Sequence, residues 1–179
     1  MGNSITEGWL QTRPQFFEGK PFINRGISGQ TTPQMLLRFR QDVIALQPKA
    51  VIILAGTNDI AGNTGPITIQ GILDNIKSMC ELAQSNGIDV ILCSVLPAEE
   101  YPWQPGKDPK NKIPALNRML QAYAEEQGVF YLDYFSALAN KKNGLDAVYS
   151  YDGVHLTKAG YAFIEPMLEQ ALTKIGLGR

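Results

Sequence analysis

Ala50-Val51-Ile52-Ile53-Leu54-Ala55, followed at once by Gly56-Thr57-Asn58-Asp59, is the stretch on which the fold of this chain turns. A strand with one wet face alternates apolar and polar residues, whereas this run is apolar throughout. It therefore predicts a strand covered on both faces, as in a parallel sheet held between helices. The polar block that follows stands beyond the strand's carboxyl end, where open α/β sheets collect their ligands.

Working outward, Thr32-Pro33 supplies a helix cap and a proline at the first helical position. Met35, Leu36, Phe39, Val43, Ile44 and Leu46 then lay an apolar stripe along a helix ending near Gln47-Pro48. On the other side, Gly62 to Gly65 is a turn, Thr68 to Ser85 a second helix stopped by Asn86-Gly87, and Asp89 to Val95 a second buried strand. Pro114 reads as the start of another helix, ending near Gly128 before a last strand at Val129-Phe130-Tyr131-Leu132. Thr157 caps a final helix through about Ile175, with Pro166 disturbing its backbone. Pro21-Phe22-Ile23-Asn24 is a fourth strand candidate, and Gln11 to Lys20 reads as a loop. Strands separated by helices predict a three-layer α/β/α sandwich with a mainly parallel sheet, and 179 residues suit a single domain over 1–179.

Charged residues make up 18% of the chain and the formal charge is -1, a balance that gives no argument for nucleic acid or an anionic membrane as partner. Lys107, Lys110 and Lys112 read as part of a solvated loop. No apolar run reaches the length of a spanning helix, so no transmembrane segment is expected. Cys80 and Cys93 fall in apolar patterns as buried free thiols, with a disulfide between them the alternative. With one histidine and no Cys-x-x-Cys there is no zinc pattern. Nor does Arg25-Gly26-Ile27-Ser28-Gly29-Gln30 carry the spacing of a phosphate-binding loop.

Ser4, in Gly2-Asn3-Ser4-Ile5-Thr6-Glu7-Gly8, is the candidate nucleophile. A serine hydroxyl is weak at neutral pH and needs a base, a group that orients the base, and donors for the developing oxyanion. Seen alone, Ser4 and Glu7 have capping-box spacing at the start of a short helix from Ile5 to Leu10, which explains both without chemistry. Asp152 and His155 supply what Ser4 lacks: they stand three apart among Tyr149, Tyr151 and Gly153, a polar turn. A carboxylate there can orient Nδ1–H and leave Nε2 to take the serine proton. The Asn58 amide and the backbone amides of Ser4 and Gly29 are candidate oxyanion donors. Asp59 would tie its loop through backbone N–H groups or accept from Arg25; a plain Asn-Asp turn is the simpler reading of the pair. In the irregular segment from Leu96 to Gly106, Tyr101 and Trp103 are placed to flank a substrate or to anchor the loop.

Taken in order, Gly2-Asn3-Ser4, the glycine block at Gly29, Gly56-Thr57-Asn58-Asp59 and Asp152-Gly153-Val154-His155 resemble the SGNH/GDSL family of serine esterases and acylhydrolases, over nearly the whole chain. The resemblance implies a flavodoxin-like SGNH hydrolase fold with Ser4 as nucleophile, His155 as base and then acid, and Asp152 as its orienter. It implies an oxyanion hole from Ser4, Gly29 and Asn58, supported by Asn3, Thr57 and Asp59, with no metal or cofactor. Asn3 stands where the family usually has aspartate, a change of local hydrogen bonding and charge. The implied substrate is a small-molecule or glycan ester, first an acetylated carbohydrate, with a short-chain lipid ester or lysophospholipid as rivals and a non-catalytic carbohydrate- or lipid-binding homologue as the alternative class. The family also sets a strand before the serine, and none precedes Ser4 here; loss of that strand would uncover its apolar neighbours, so either the strand lies outside this sequence or another segment fills the gap. Soluble behaviour is expected, in the cytoplasm or exported by a signal outside this chain; oligomeric state has no sequence signal.

Overall fold

Three parallel strands, β1 (Ala50–Ile53), β2 (Asp89–Cys93) and β3 (Phe130–Leu132), pair in the order β1-β2-β3 at the centre of the computed structural model, which describes residues 1–178. Ile53 lies opposite Leu92, and Cys93 opposite Leu132. The side-chain alternation of a strand sends Val51, Ile53, Val90 and Leu92 to one face, under α3 (Thr32–Asp42), α5 (Ile69–Ser85) and α6 (Pro109–Gln127). Ile52, Leu54, Ile91, Cys93 and Leu132 go to the other, under α1 (Ser4–Thr12) and α8 (Lys158–Lys174). Both faces are thus covered, which is why the strand sequences are continuously apolar, and each fully buried Ile or Leu contributes about 1.5–3 kcal/mol. The architecture is the expected α/β sandwich. Cys80 and Cys93 are both buried free thiols.

Besides α3 ending at Asp42, before a separate 3-10 turn at Ile44–Leu46, rather than near Gln47-Pro48, helix ends follow the predicted chemistry with three corrections. Thr68 and Thr157 accept from the N–H groups of Gly71 and Gly160 and so cap α5 and α8. The cap of α3 is Thr31 rather than Thr32, because the Gln34 side chain returns to the Thr31 N–H and completes a capping box. α6 starts at Pro109, not Pro114. Pro114 sits inside the helix, where its missing N–H frees the carbonyl of Lys110, and that carbonyl accepts from Asn143 Nδ2 at 3.0 Å. Lys110 and Lys112 therefore belong to the first turns of a helix rather than a loop. The third correction lies in 11–20, where α1 runs to Thr12 and α2 (Pro14–Phe17) follows, Phe16 stacking on Trp9 at 5.2 Å.

Pro21–Asn24 forms no strand; only Gly26, just after it, makes a single parallel bridge. Its partner is Gly2, which also bridges Leu54. Two residues therefore stand where a first strand was expected. Leu54 N donates to Met1 O at 3.1 Å, and Ile27 N donates to Gly2 O at 3.2 Å. The Met1 ammonium donates to Ile52 O at 2.8 Å, and burial pushes its pKa down to about 5. Beyond this stub a cavity of about 620 Å³ runs beside β1, walled by Ala50, Val51, Phe16, Phe22, Leu168 and Leu172. The apolar neighbours that loss of a first strand would uncover are instead mostly buried, Val51, Phe16, Leu168 and Leu172 among them, because the Met1–Gly2 stub and the helices pack around the edge. α4 (Thr57–Ala61) and α7 (Tyr134–Leu138) are short turns at the carboxyl ends of β1 and β3. Among the described residues no helix is long and apolar enough to cross a membrane.

Candidate active site

Ser4 opens α1 as its first residue because Asn3, not Ser4, is the cap: the buried Asn3 side chain accepts from Ile5 N at 3.0 Å. The capping box between Ser4 and Glu7 does not form. Glu7 instead accepts from both the N–H and the hydroxyl of Ser28, leaving the Ser4 hydroxyl free for another partner. α1 is held from below by α8. Tyr161 donates its hydroxyl hydrogen to Ile5 O at 2.7 Å, and Glu165 accepts from Trp9 Nε1 at 3.2 Å and from Arg13 Nη2 at 2.7 Å.

The partner of Ser4 is His155, with Oγ and Nε2 2.9 Å apart. On the far side of the ring, Nδ1 lies 2.6 Å from Asp152 Oδ2. The turn between them is locked locally: Asp152 Oδ1 accepts from the N–H groups of Val154 and His155 at 2.9 and 2.7 Å, and Ser150 Oγ donates to His155 O at 2.7 Å. Partial burial pushes the Asp152 carboxyl upward, but the His155 ring and these two N–H bonds together outweigh it and hold the carboxyl below its ordinary range. A carboxylate facing Nδ1 favours the tautomer with its proton there, which turns the Nε2 lone pair toward Ser4.

The loop 28–32 lies against α4 and the turn after it. Gly29 takes φ +77, and no atom stands within 4 Å of where a Cβ would be, so hydrogen bonds rather than packing fix it. Gly29 O accepts from Asn63 Nδ2 at 3.2 Å, and Gln30 O from Asn58 Nδ2 at 2.9 Å. A primary amide has two N–H donors, so Asn58 keeps one for a ligand. The N–H groups of Ser4 and Gly29 donate to no other described residue. Asp59 is buried and accepts from Thr32 N at 2.9 Å and Thr32 Oγ1 at 2.6 Å. Desolvation raises its pKa against those bonds. Its tie is thus to a backbone N–H, with no bond from Arg25.

Of the two readings of Tyr101, the structure supports the anchor: it is fully buried with its hydroxyl 2.8 Å from Thr57 Oγ1. Trp103 remains 39% exposed, its ring 6.2 Å from that of His155. On the other side Tyr151, 72% exposed, stacks on His155 at 5.9 Å. Its position beside Asp152 was the signal for Tyr151. Asn63 carried none, since its contacts are set by folding alone.

Residues 1–163 match the family model described as GDSL-like Lipase/Acylhydrolase. The chain belongs to this family. Membership places it among carboxylic-ester hydrolases. It superposes on a GDSL-like lipase from Bacteroides thetaiotaomicron VPI-5482 with TM-score 0.95 and 47% identity, covering 98% of this chain and 86% of that one. It shares the fold of the lipase/acylhydrolase from Enterococcus faecalis, with TM-score 0.77 at 22% identity over 97% of this chain and 93% of the other. The uncharacterized lipoprotein YqeF of Bacillus subtilis (strain 168) is 37% identical over 81 residues, 44% of this GDSL-family chain and 33% of that protein, so the match spans about a third of that relative.

Proposed function

We propose that residues 1–179 form one hydrolase domain that cleaves esters of short acyl groups through an acyl-serine intermediate. The observation that carries this reading is the continuous relay from Asp152 through His155 to Ser4 at 2.6 and 2.9 Å. Ser4 Oγ attacks the ester carbonyl while its proton passes to His155 Nε2. The oxyanion is held by the Ser4 and Gly29 N–H groups and the free Asn58 N–H, each such donor supplying roughly 10²–10³ in kcat. The carbon–oxygen bond to the alcohol breaks, Nε2–H protonates that alcohol, and a water activated by the same nitrogen releases the acid. Asn3, Thr57 and Asp59 support the loops that present these groups.

Two exposed rings beside His155, Trp103 and Tyr151, support a glycan ester as substrate, because aromatic faces suit the C–H faces of a sugar. Acetate is the favoured acyl group. A serine-directed phosphonate should label the wild type and not Ser4→Ala, with turnover of p-nitrophenyl acetate falling by about 10⁴-fold or more and the melting temperature kept. Equal labelling of the two proteins would sink the nucleophile assignment. A panel of p-nitrophenyl esters and acetylated sugars reads the substrate: strong preference for long acyl chains would replace the acetylesterase reading with a lipid acylhydrolase.

A further inference from the structure

One exposed side chain touches two parts of the site that come from separate stretches of chain. Asn63 donates from Nδ2 to Gly29 O at 3.2 Å and accepts at Oδ1 from Trp103 Nε1 at 3.1 Å. Its place is set by α4: Gly62 ends that helix with φ +78, and Asn63 N then donates back to Asn58 O at 3.0 Å. The side chain is thereby returned to the loop it bonds. A primary amide is the group this location needs, because it offers a donor and an acceptor on one carbon, whereas a carboxylate only accepts and an alkyl group does neither.

The two groups that Asn63 holds have little else to fix them. Gly29 has no neighbour around its missing side chain, so its peptide takes its orientation from hydrogen bonds. The Trp103 indole rests on Tyr101 at 5.1 Å and stands near His155, and it remains partly exposed. We propose that Asn63 is a positioning residue with two simultaneous roles: by holding Gly29 O it fixes the Gly29–Gln30 peptide, and through the Gly29 Cα the adjoining Ser28–Gly29 peptide whose N–H serves the oxyanion, and it sets the Trp103 indole for the alcohol portion of the ester. This rests on the hydrolytic reading above. Both bonds are exposed and compete with water, so each contributes modestly and the loss is several-fold rather than complete.

Kinetics on p-nitrophenyl acetate and an acetylated sugar separate the two bonds, with Ser4→Ala as the control for the hydrolytic reading. Asn63→Leu removes both and lowers kcat/KM about ten-fold, through both kcat and KM. Asn63→Asp keeps the acceptor for Trp103 and loses the donor to Gly29 O, so kcat falls about five-fold while KM for the sugar holds. Trp103→Phe keeps a ring and loses the N–H, so it raises that KM and spares kcat. In the double variant Asn63→Leu with Trp103→Phe, the KM effects are less than multiplicative, as shared contacts require. The proposal is overturned if both Asn63 variants keep wild-type kcat and KM while Ser4→Ala is inactive, or if their losses track a drop in melting temperature. Wild-type turnover by Ser4→Ala would overturn the hydrolytic reading and the proposal with it.

Discussion

At the carboxyl ends of β1 and β2 the polar side chains are tied to one another: Asp59 to Thr32, Asn58 to Gln30, Asn63 to Gly29 and Trp103, Thr57 to Tyr101. Along the outer edge of β1, the sheet meets, among the described residues, only Met1 and Gly2 and then a cavity of about 620 Å³ whose lining includes Met1. Strand ends leave backbone and side-chain donors that must find partners, and short loops from different strands supply them. The neighbour at this edge is short, and Ser4 is further held because α1 is fastened to α8 through Tyr161, Trp9 and Glu165. Precision at the site therefore depends less on the sheet edge than on a helix packed across it.

The sharpest way to break this comparison is inside the polar site. Asp152→Asn keeps an acceptor for the Val154 and His155 N–H groups but removes the one facing Nδ1, so the turn survives with the wrong histidine tautomer. A fall in kcat of about 10³–10⁴-fold with unchanged melting is expected; a loss under ten-fold would deny Asp152 its role.

A smaller effect tests the fastening of α1. Glu165→Ala strips the acceptor of both Trp9 and Arg13, and thermal melting should fall by about 5 °C, with a several-fold loss of turnover as Ser4 loses its support. If stability fell with kcat untouched in the folded protein, the sheet edge and not α8 would be holding the nucleophile.

The smallest effect concerns the edge itself. In a chain starting at Met1, the amine is neutral when folded above about pH 5 and charged when unfolded below its ordinary 8.0. Between those values the unfolded chain binds the extra proton, so stability falls as pH falls through the window. Acetylating the amine removes that slope: melting should rise at pH 6 and stay level at pH 9. Equal gains at both pH values would point to filling of the cavity instead of loss of charge.

The buried strands, the helix stripes and the blocks that meet at the candidate site were legible because each is written locally: a continuous apolar run at Ala50–Ile53, a cap at Thr157, Asp152 three residues before His155. Pro21–Asn24 misled because its apolar content serves the wall of the cavity rather than a ladder, and Pro114 misled because a tertiary donor, Asn143, satisfies the carbonyl it frees. For Tyr101 the sequence left flanking a substrate and anchoring the loop both open, and burial against Thr57 chose the anchor. The sequence by itself determined the α/β order and the residues able to carry ester hydrolysis, since periodicity and side-chain chemistry are properties of the chain. Only the tertiary structure decided that Asn3 caps α1 and frees Ser4, that Glu165 pins that helix, and that Asn63 meets both Gly29 and Trp103, because those contacts join residues far apart in sequence or choose among equivalent local partners.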